Sequence, residues 1–337
     1  MAYQFKIFIF SLFFIASSTT LFSQQVNLLS SGTKSSLRGL SVVNDRIIWV
    51  SGSNGMVGKS LDSGKTFIWQ VVKGYEKTDF RDIEAFNETT AVIMGISSPA
   101  YILRTTDGGV SWKRVYENNA PEMFLDAMEF LNEQDGMVIG DPIAGKVFIA
   151  KTFDGGIHWK DLSPQNNPIA DSGEAFFASS GTNIRKINQR EAIFVSGGIS
   201  SHLFIKGKKI LLPIIQGKQS TGANSIAVKN IQTMIVVGGD FNKKDDNTNS
   251  CFITKNAGKD WISPKTPVNG YRSCVEWLCN KNWISCGLNG VDLSMDEGNT
   301  WNWISKESYH VVRKSKNGKA VFFAGGGGRI GKLIDFK

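Results

Sequence analysis

The chain has 337 residues, a formal net charge of +8, four cysteines and three histidines. The histidines are scattered and the cysteines lack paired short C-x-x-C spacing, so no metal site is expected. The basic charge is spread along the chain and no nucleic-acid motif accompanies it, so DNA or RNA binding is not expected either.

The first 23 residues are predicted to be a cleaved secretory signal. Lys6 precedes an apolar run over residues 7–16, and small and polar residues follow up to an expected cut near Ser23 or Gln24. Such a run is too short to span a bilayer and is typical of a signal peptide. An uncleaved anchor is the alternative. Cleavage would deliver residues 24–337 to the periplasm or the cell exterior, with no transmembrane anchor.

From residue 26 onward the chain consists of short β-rich runs of period two, separated by Gly, Asn and Asp turns. Runs that open a new unit begin near Leu37, Phe80, Phe124, Glu174, Asn224, Tyr271 and Tyr309. Four runs make one blade, so residues 24–337 are predicted to form one all-β domain, a seven-bladed β-propeller of four-stranded antiparallel blades. The last unit lacks a fourth strand, and residues 26–32 are predicted to supply it, which would remove an exposed sheet edge.

A turn that contains an acid, a glycine and an aromatic residue recurs between the third and fourth strands, as in "RTTDGGVSW". Its acid or amide and tryptophan positions are Asp62, Asp107, Trp112, Asp154, Trp159, Asn256, Trp261, Asp296 and Trp301. Successive acid or amide positions are 45, 47, 102 and 40 residues apart. The interval of 102 residues corresponds to two repeats, of which the one in between has lost the turn. Repetition at blade period indicates a fold element, so Asp107→Ala should lower stability without abolishing binding.

These repeats resemble the Asp-box (BNR) repeats of sialidases and of many non-enzymatic propellers. Residues 31–67 are similar to the opening repeat of photosystem II stability/assembly factor-like propellers. A bacterial, non-photosynthetic branch of that family, often labelled oxidoreductase or glycosyl hydrolase, is more similar still in "FLDAMEF", "VIGDP", "GEAFFASSGTNI", "VVGGDF" and "NGYRSCV". The resemblance covers essentially the whole mature chain. The resemblance implies a propeller that binds a partner protein. Its relatives contact the partner through an arginine-rich patch, and Arg38 and Arg81 resemble part of this patch by position.

One unit departs from the repeat. Residues 201–213, "SHLFIKGKKILLP", contain no acid–glycine–aromatic turn, which leaves the outer edge of the fourth blade undefined. The segment carries a basic cluster at Lys206, Lys208 and Lys209, and a second cluster lies at residues 243–244. These clusters could favour acidic partners or anionic envelope surfaces, and solvated loops are the alternative.

The remaining motifs predict no cofactor. The glycines of "AGGGGRIGKL" (residues 324–333) lie between two predicted strands, whereas a nucleotide-binding loop lies between a strand and a helix. No residue argues for redox chemistry. The stretch "SCVEWLCNKNWISC" is predicted to be a hairpin with Cys274 opposite Cys286, and export would permit a disulfide between them. Buried free thiols are the alternative.

Polar residues near the starts of the innermost strands would surround the mouth of the central channel. With two acids from the ends of neighbouring strands, the candidates are Arg38, Arg81, Asp126, Asp141, Glu174, Asp240, Arg272 and His310. Unpaired charge in a confined channel is costly. These residues therefore either bind a partner or form an internal arginine–carboxylate network that fixes the register of the blades.

The sequence favours a secreted or periplasmic, monomeric, non-catalytic binding or assembly module. Its loops and charged channel mouth would meet an envelope or secreted protein, and salt would weaken binding if the arginines carry it. The alternative is an envelope glycan-active hydrolase with two carboxylates at the same mouth, about 5–10 Å apart. A sialidase-like site is disfavoured because Tyr271 and Arg272 are adjacent on one strand and point apart.

Overall fold

The computed structural model describes residue 1, residues 25–30 and residues 32–334. The predicted signal at residues 1–23 therefore lies, except for residue 1, outside the described residues. The described strands form a seven-bladed β-propeller of antiparallel sheets. The described part of the chain contains two short 3-10 turns, Pro164–Asn166 and Gly326–Gly328, and no helix long and apolar enough to cross a membrane.

Four blades each consist of four consecutive strands, with the innermost strand first. Blade 1 contains Leu37–Val42, Ile48–Gly52, Met56–Ser60 and Ile68–Val71. Blade 2 contains Phe80–Ala85, Ala91–Gly95, Ala100–Thr105 and Lys113–Asn118. Blade 3 contains Leu125–Phe130, Gly136–Ile143, Lys146–Thr152 and Lys160–Asp161. Blade 6 contains Cys274–Cys279, Asn282–Gly287, Gly290–Ser294 and Asn302–Ser305.

Blade 7 joins the two ends of the chain. Its strands Val311–Lys314, Val321–Ala324 and Ile330–Ile334 are completed by the N-terminal strand Gln25–Ser30. The N-terminal strand is antiparallel to the last one, with Gln25 opposite Ile334. The predicted closure is therefore confirmed, and the otherwise open outer edge of the last C-terminal strand is paired.

Blades 4 and 5 differ from the prediction. Blade 4 contains Ile184–Lys186, Ala192–Val195, His202–Ile205 and Lys208–Leu211, so its outer strand is present. Blade 5 contains Thr221–Val228, Met234–Asp240 and Cys251–Thr254, with a single bridge between Ile253 and Ile262 in place of a fourth strand. The inner strand of blade 4 begins at Ile184 and not near Glu174. Instead, Glu174–Ala175 pairs with Gly197–Gly198, which extends the sheet of blade 5.

The segment between Glu174 and the inner strand of blade 4 passes through the central channel. We call residues 176–183 the plug. Hydrogen bonds reach it from several other blades: Arg38 of blade 1 donates to the Ser179 carbonyl at 3.2 Å, and Arg313 of blade 7 to the Gly181 carbonyl at 3.3 Å. Ser180 in turn donates to the carbonyl of Ser273, just before blade 6, at 2.7 Å. The plug therefore fills the middle of the channel and separates its two ends.

The acid–glycine turns share one hydrogen-bond pattern. In blade 2, the Thr105 hydroxyl donates to Asp107 at 2.8 Å and accepts from the Gly109 amide at 3.0 Å. The amide and hydroxyl of Ser111 donate to the Asp107 carboxylate at 3.0 and 2.6 Å. Gly109 has φ 90°, a conformation that favours glycine. The buried centre of the turn is thus the Thr105 hydroxyl, while Asp107 is exposed.

Each turn also fills space against the preceding blade. Trp112 of blade 2 meets Trp49 of blade 1 edge to face, with ring centroids 6.3 Å apart. The second glycine of the turn lies against the preceding blade as well, Gly109 on Trp49 and Gly298 of blade 6 on Ile235 of blade 5. Apolar clusters lie between neighbouring blades around the ring. The turns therefore help to seal the interfaces between blades.

Replacing Thr105 by valine is expected to lower the free energy of unfolding by about 1–3 kcal/mol, because the buried Gly109 amide would lose its acceptor while the side-chain shape is kept. Urea denaturation measures the loss. Ser111→Ala is the control, because Ser111 is exposed, and it should cost less. Equal losses in the two variants would contradict this account of the turn.

The acids of the turns predict an acid-sensitive stability. Hydrogen bonds from Thr66 and Ser111 lower the pKa values of Asp62 and Asp107 from 3.8 to about 2. At Asp154, burial opposes the shift, but hydrogen bonds from His158 still lower the pKa to about 2. A depressed carboxyl pKa stabilises the fold above the ordinary value of 3.8, and this contribution is lost as the pH falls towards 2.

Melting temperatures between neutral pH and about pH 2 should therefore fall less steeply in the triple variant Asp62→Asn, Asp107→Asn, Asp154→Asn than in the wild type. The variant is expected to fold, because Asn256 already occupies this position in blade 5 and accepts from the Asp260 amide at 2.9 Å. Identical pH profiles would show that these carboxylates do not contribute.

Candidate binding site at the channel mouth

A cavity of about 580 Å³ opens at one end of the channel, above the plug. We call it the bowl, and its lining includes Arg38, Arg81, Phe177, Phe241, Tyr271 and His310. Of the eight sequence-predicted mouth residues, Arg38, Arg81, Asp141, Glu174 and His310 contribute to the lining. The structure thus brings five of them together around one cavity.

Bulges in the inner strands help to position the arginines. The register of blade 1 shifts between Leu37 and Gly39, and that of blade 2 between Phe80 and Asp82. Arg38 and Arg81 are therefore the extra residues of two bulges. A bulge interrupts the alternation of a strand and redirects a side chain. The same shift occurs in blade 3 at Asp126 and in blade 5 at Asn224.

Arg38 and Arg81 make one wall of the bowl positively charged. Arg81 forms an ion pair with Asp79 at 2.8 Å and donates to the Ala178 carbonyl at 3.5 Å. Arg38 donates to the Ser179 carbonyl, and no carboxylate of the described residues forms an ion pair with it. Burial, and then the charge of Arg81, lower the pKa of Arg38. An anion in the bowl would offset this unfavourable pairing of cations.

Other parts of the wall are aromatic and neutral. The Tyr271 hydroxyl donates to the Asn224 side-chain oxygen at 2.7 Å, and Ser179 donates to the same oxygen at 3.2 Å. Phe177 and Phe241 meet edge to face with centroids 5.8 Å apart, and Phe241 is 40% exposed. The bowl therefore offers cations for an acid and an aromatic surface for an apolar group beside it.

His310 lies on the arginine side of the bowl, close to the charges of Arg38 and Arg81. Its Nε2 is 3.2 Å from the Ser36 hydroxyl, and its buried Nδ1 has no hydrogen-bond partner among the described residues. Burial, and then the charges of Arg38 and Arg81, lower its pKa to about 3. The ring is therefore neutral near pH 7, and the fixed positive charge of the bowl comes from the arginines.

The two carboxylates in the lining already have partners. Asp141 accepts from the Phe176 amide at 2.8 Å, and burial raises its pKa. Glu174 is bound by Lys209 at 2.7 Å and by His202 at 3.1 Å, and by Ser196. Burial alone would raise the pKa of Glu174, but these hydrogen bonds lower it overall.

Ligand atoms of Asp171, Glu174 and His202 lie within 4.8 Å of one another, an arrangement that could ligate a metal ion. However, the Lys209 ammonium is 2.7 Å from both carboxylates. It supplies the positive charge at this position, so a metal ion would first have to displace it.

Three of the predicted mouth residues do not contribute to the bowl lining. Arg272 is fully buried and paired with Asp292, with Nε 2.7 Å from the carboxylate. Asp126 is fully buried, and burial and the neighbouring Asp141 raise its pKa well above the ordinary value. Asp240 is 5% exposed and accepts from the Asn242 amide at 3.0 Å. Of the four carboxylates predicted at the mouth, Asp141 and Glu174 therefore contribute to the cavity, and Asp126 and Asp240 do not.

Sequence reasoning missed a charged network at the opposite end of the channel. Arg185 lies 2.9 Å from Glu276 and 3.8 Å from Glu129, and Arg313 lies 3.9 Å from Glu276. Lys316 pairs with Glu84 in the same cavity. The sequence signal is a charged residue that recurs near the end of the inner strand, in "RDIEAF", "DAMEF", "CVEW" and "VVRK". An arginine–carboxylate network that links blades thus exists, but away from the bowl.

The cysteine hairpin has the predicted register. Cys274 lies opposite Cys286, and Asn280 and Lys281 form the turn. The cysteines are free thiols in the structure, and the Val312 amide donates to Cys274 Sγ at 3.4 Å. The disulfide stays a prediction for an oxidising compartment.

No protein-family model matches this chain, and no curated protein matches it. Among solved structures it is similar to YCF48 bound to D1 peptide, with 14% identity, a TM-score of 0.64 and coverage of 93% of this chain and 96% of that chain. YCF48 from Cyanidioschyzon merolae has 17% identity and a TM-score of 0.65, and the match covers 92% of this chain and 98% of that chain. The WD40 propeller domain of Doa1 has 14% identity and a TM-score of 0.61, and the match covers 93% of this chain and 97% of that chain. At these identities the similarity shows the β-propeller fold alone.

Proposed function

We propose that this chain is an exported β-propeller binding module whose bowl receives an acidic segment of a protein in the cell envelope. The observation that carries the proposal is the arginine pair. Arg38 and Arg81 contribute to an open cavity, and Arg38 has no carboxylate partner among the described residues. A carboxylate from a partner would supply the missing anion.

The plug prepares the arginines for such a ligand. The carbonyls of Ala178 and Ser179 accept hydrogen bonds from Arg81 and Arg38, which restricts both long side chains before a ligand arrives. Binding then costs less side-chain entropy than it would with free arginines. The aromatic surface of Phe177 and Phe241 can cover an apolar residue next to the acid. The ligand class is thus a short peptide segment in which an acidic residue neighbours a bulky apolar one.

Two further observations support a protein ligand and an envelope location. A solved propeller of similar shape is described as YCF48 bound to D1 peptide, which makes peptide binding a reasonable expectation for this fold. The signal predicted at residues 1–23 supports export. Since arginine–carboxylate attraction would carry recognition, added salt should weaken binding.

Site-specific photo-crosslinking in envelope extract tests the proposal. A photoreactive phenylalanine analogue would replace Phe241 in the bowl or, as the control, Trp303 on the outer strand of blade 6. The two side chains are similarly exposed, at 40% and 45%. We expect a partner protein to crosslink at position 241 and not at position 303. Equal crosslinking at both positions, or crosslinking at position 303 alone, would contradict the proposal.

A further inference from the structure

The missing turn of blade 4 changes its interface with blade 3. The third and fourth strands of blade 4 are joined by a tight hairpin at Lys206 and Gly207, with φ values of 48° and 72°. In blades 2 and 6 the corresponding turn places a glycine against the preceding blade, and in blade 2 an aromatic ring as well. The hairpin of blade 4 itself places no ring against blade 3, and a Cβ added at Gly207 would meet nothing within 4 Å.

A groove of about 450 Å³ lies between blades 3 and 4. Blade 3 contributes Lys146 and residues 166–169, and blade 4 contributes Phe194, Phe204 and residues 205–209. Phe194 and Phe204 are stacked with centroids 4.8 Å apart and are almost fully buried, so they form a firm apolar floor. We call this cavity the interblade groove.

The polar groups of the interblade groove are mainly cations. Lys209 is committed to Asp171 and Glu174, each at 2.7 Å. In contrast, no carboxylate in the described ranges forms an ion pair with Lys146, Lys206 or Lys208. These three ammonium groups therefore keep their full capacity to donate to an anion.

Asn167 adds a buried amide to the same groove. The residue contributes to the lining and is 6% exposed, and its buried side-chain oxygen has no hydrogen-bond partner within the described residues. A buried amide without a partner is uncommon, because each unmade hydrogen bond costs free energy. A ligand that donates a hydrogen bond to this oxygen would satisfy it.

We propose that the interblade groove binds a phosphate ester with a compact organic body. Lysine ammonium groups are point-charge donors suited to phosphate oxygens. The volume exceeds that of a phosphate ion, and the apolar floor with Pro168 gives the organic part a surface. A hydroxyl group of the organic part would donate to the side-chain oxygen of Asn167. A soluble phosphate ester and a phospholipid headgroup present the same chemistry. No residue lines both the interblade groove and the bowl, although the ion pair between Lys209 of the groove and Glu174 of the bowl lies between them.

Calorimetric titration of the purified protein with glycerol 3-phosphate and with inorganic phosphate, and flotation with phosphatidylglycerol-containing vesicles, test this proposal. The variant Lys206→Gln/Lys208→Gln removes two charges and keeps most of each aliphatic chain. Lys243→Gln/Lys244→Gln is the matched control, because it removes two adjacent exposed charges from the other basic cluster.

We expect saturable binding that weakens by about tenfold or more in Lys206→Gln/Lys208→Gln and is unchanged in the control. Binding of glycerol 3-phosphate would assign a soluble ester, and binding of vesicles alone would assign a lipid headgroup. Absence of saturable binding to all three probes would overturn the proposal, as would equal losses in both variants. Arg38→Ala/Arg81→Ala should bind these probes normally, so the outcome is separable from the function proposed for the bowl.

Discussion

Arg272→Ala is expected to destabilise the propeller by about 3–5 kcal/mol, because it leaves a buried carboxylate without its cation. Arg272 and Asp292 are both 0% exposed and are joined by Nε at 2.7 Å. Asn269 donates its backbone and side-chain nitrogens to the same carboxylate at 3.0 and 2.7 Å. Arg272 also donates to the Tyr271 carbonyl at 2.9 Å and to Asn289. The pair therefore organises the entry to blade 6.

Urea denaturation would measure this loss of unfolding free energy, provided that the m-value is the same in the wild type and the variant. Arg114→Ala is the control, because Arg114 is half exposed and pairs with Glu117 at the surface at 2.8 Å. Such surface pairs contribute about 0–1 kcal/mol. A loss for Arg272→Ala as small as that of the control would mean that the buried pair does not hold the blade.

Arg38→Ala/Arg81→Ala is expected to weaken the binding of an acidic partner segment by about a hundredfold or more, since charge-assisted contacts in a desolvated site are costly to truncate. The bowl keeps its aromatic wall in this variant, so the loss reports on charge. Fluorescence anisotropy with a labelled peptide from the crosslinked partner measures the affinity.

Two controls make this measurement specific. Arg114→Ala lies outside the bowl and should bind like the wild type, and the salt dependence of binding should become flatter in Arg38→Ala/Arg81→Ala. Urea denaturation would establish that the double variant is folded. Unchanged affinity in a folded double variant would show that the arginine pair does not recognise the acidic segment.

Much of the architecture could be predicted because it repeats. Period-two runs and the turns around Asp62, Asp107, Asp154 and Asp296 are local signals, and the seven runs that open a unit predicted the blade count. The closure by Gln25–Ser30 followed from a last blade that lacked one strand. Such features depend on neighbours in sequence, so a single chain reveals them.

The start of blade 4 could not be predicted in the same way. "GEAFFASSGTNI" contains no local signal that distinguishes a strand from the plug. The path of the plug depends on partners distant in sequence, such as Arg38, Ser273 and Arg313. Residues 176–183 therefore form the plug and not the predicted inner strand because of tertiary contacts, which the local sequence does not reveal.

The candidate site was predicted in part for a related reason. Alternation predicts that Tyr271 and Arg272 point apart, but not which of them faces the channel. The bulges at Arg38, Arg81 and Asp126 then reset the alternation within the inner strands. As a result, strand position alone grouped the buried Arg272 with Arg81, although the two arginines have different surroundings.

Affinity capture from cell-envelope extract, with wild type, Arg38→Ala/Arg81→Ala and Arg114→Ala in parallel, tests the central claim most directly. We predict a protein enriched by the wild type and by Arg114→Ala and lost with the double variant, with capture reduced by added salt. Equal capture by all three proteins would contradict the claim that the arginine pair of the bowl recognises the partner.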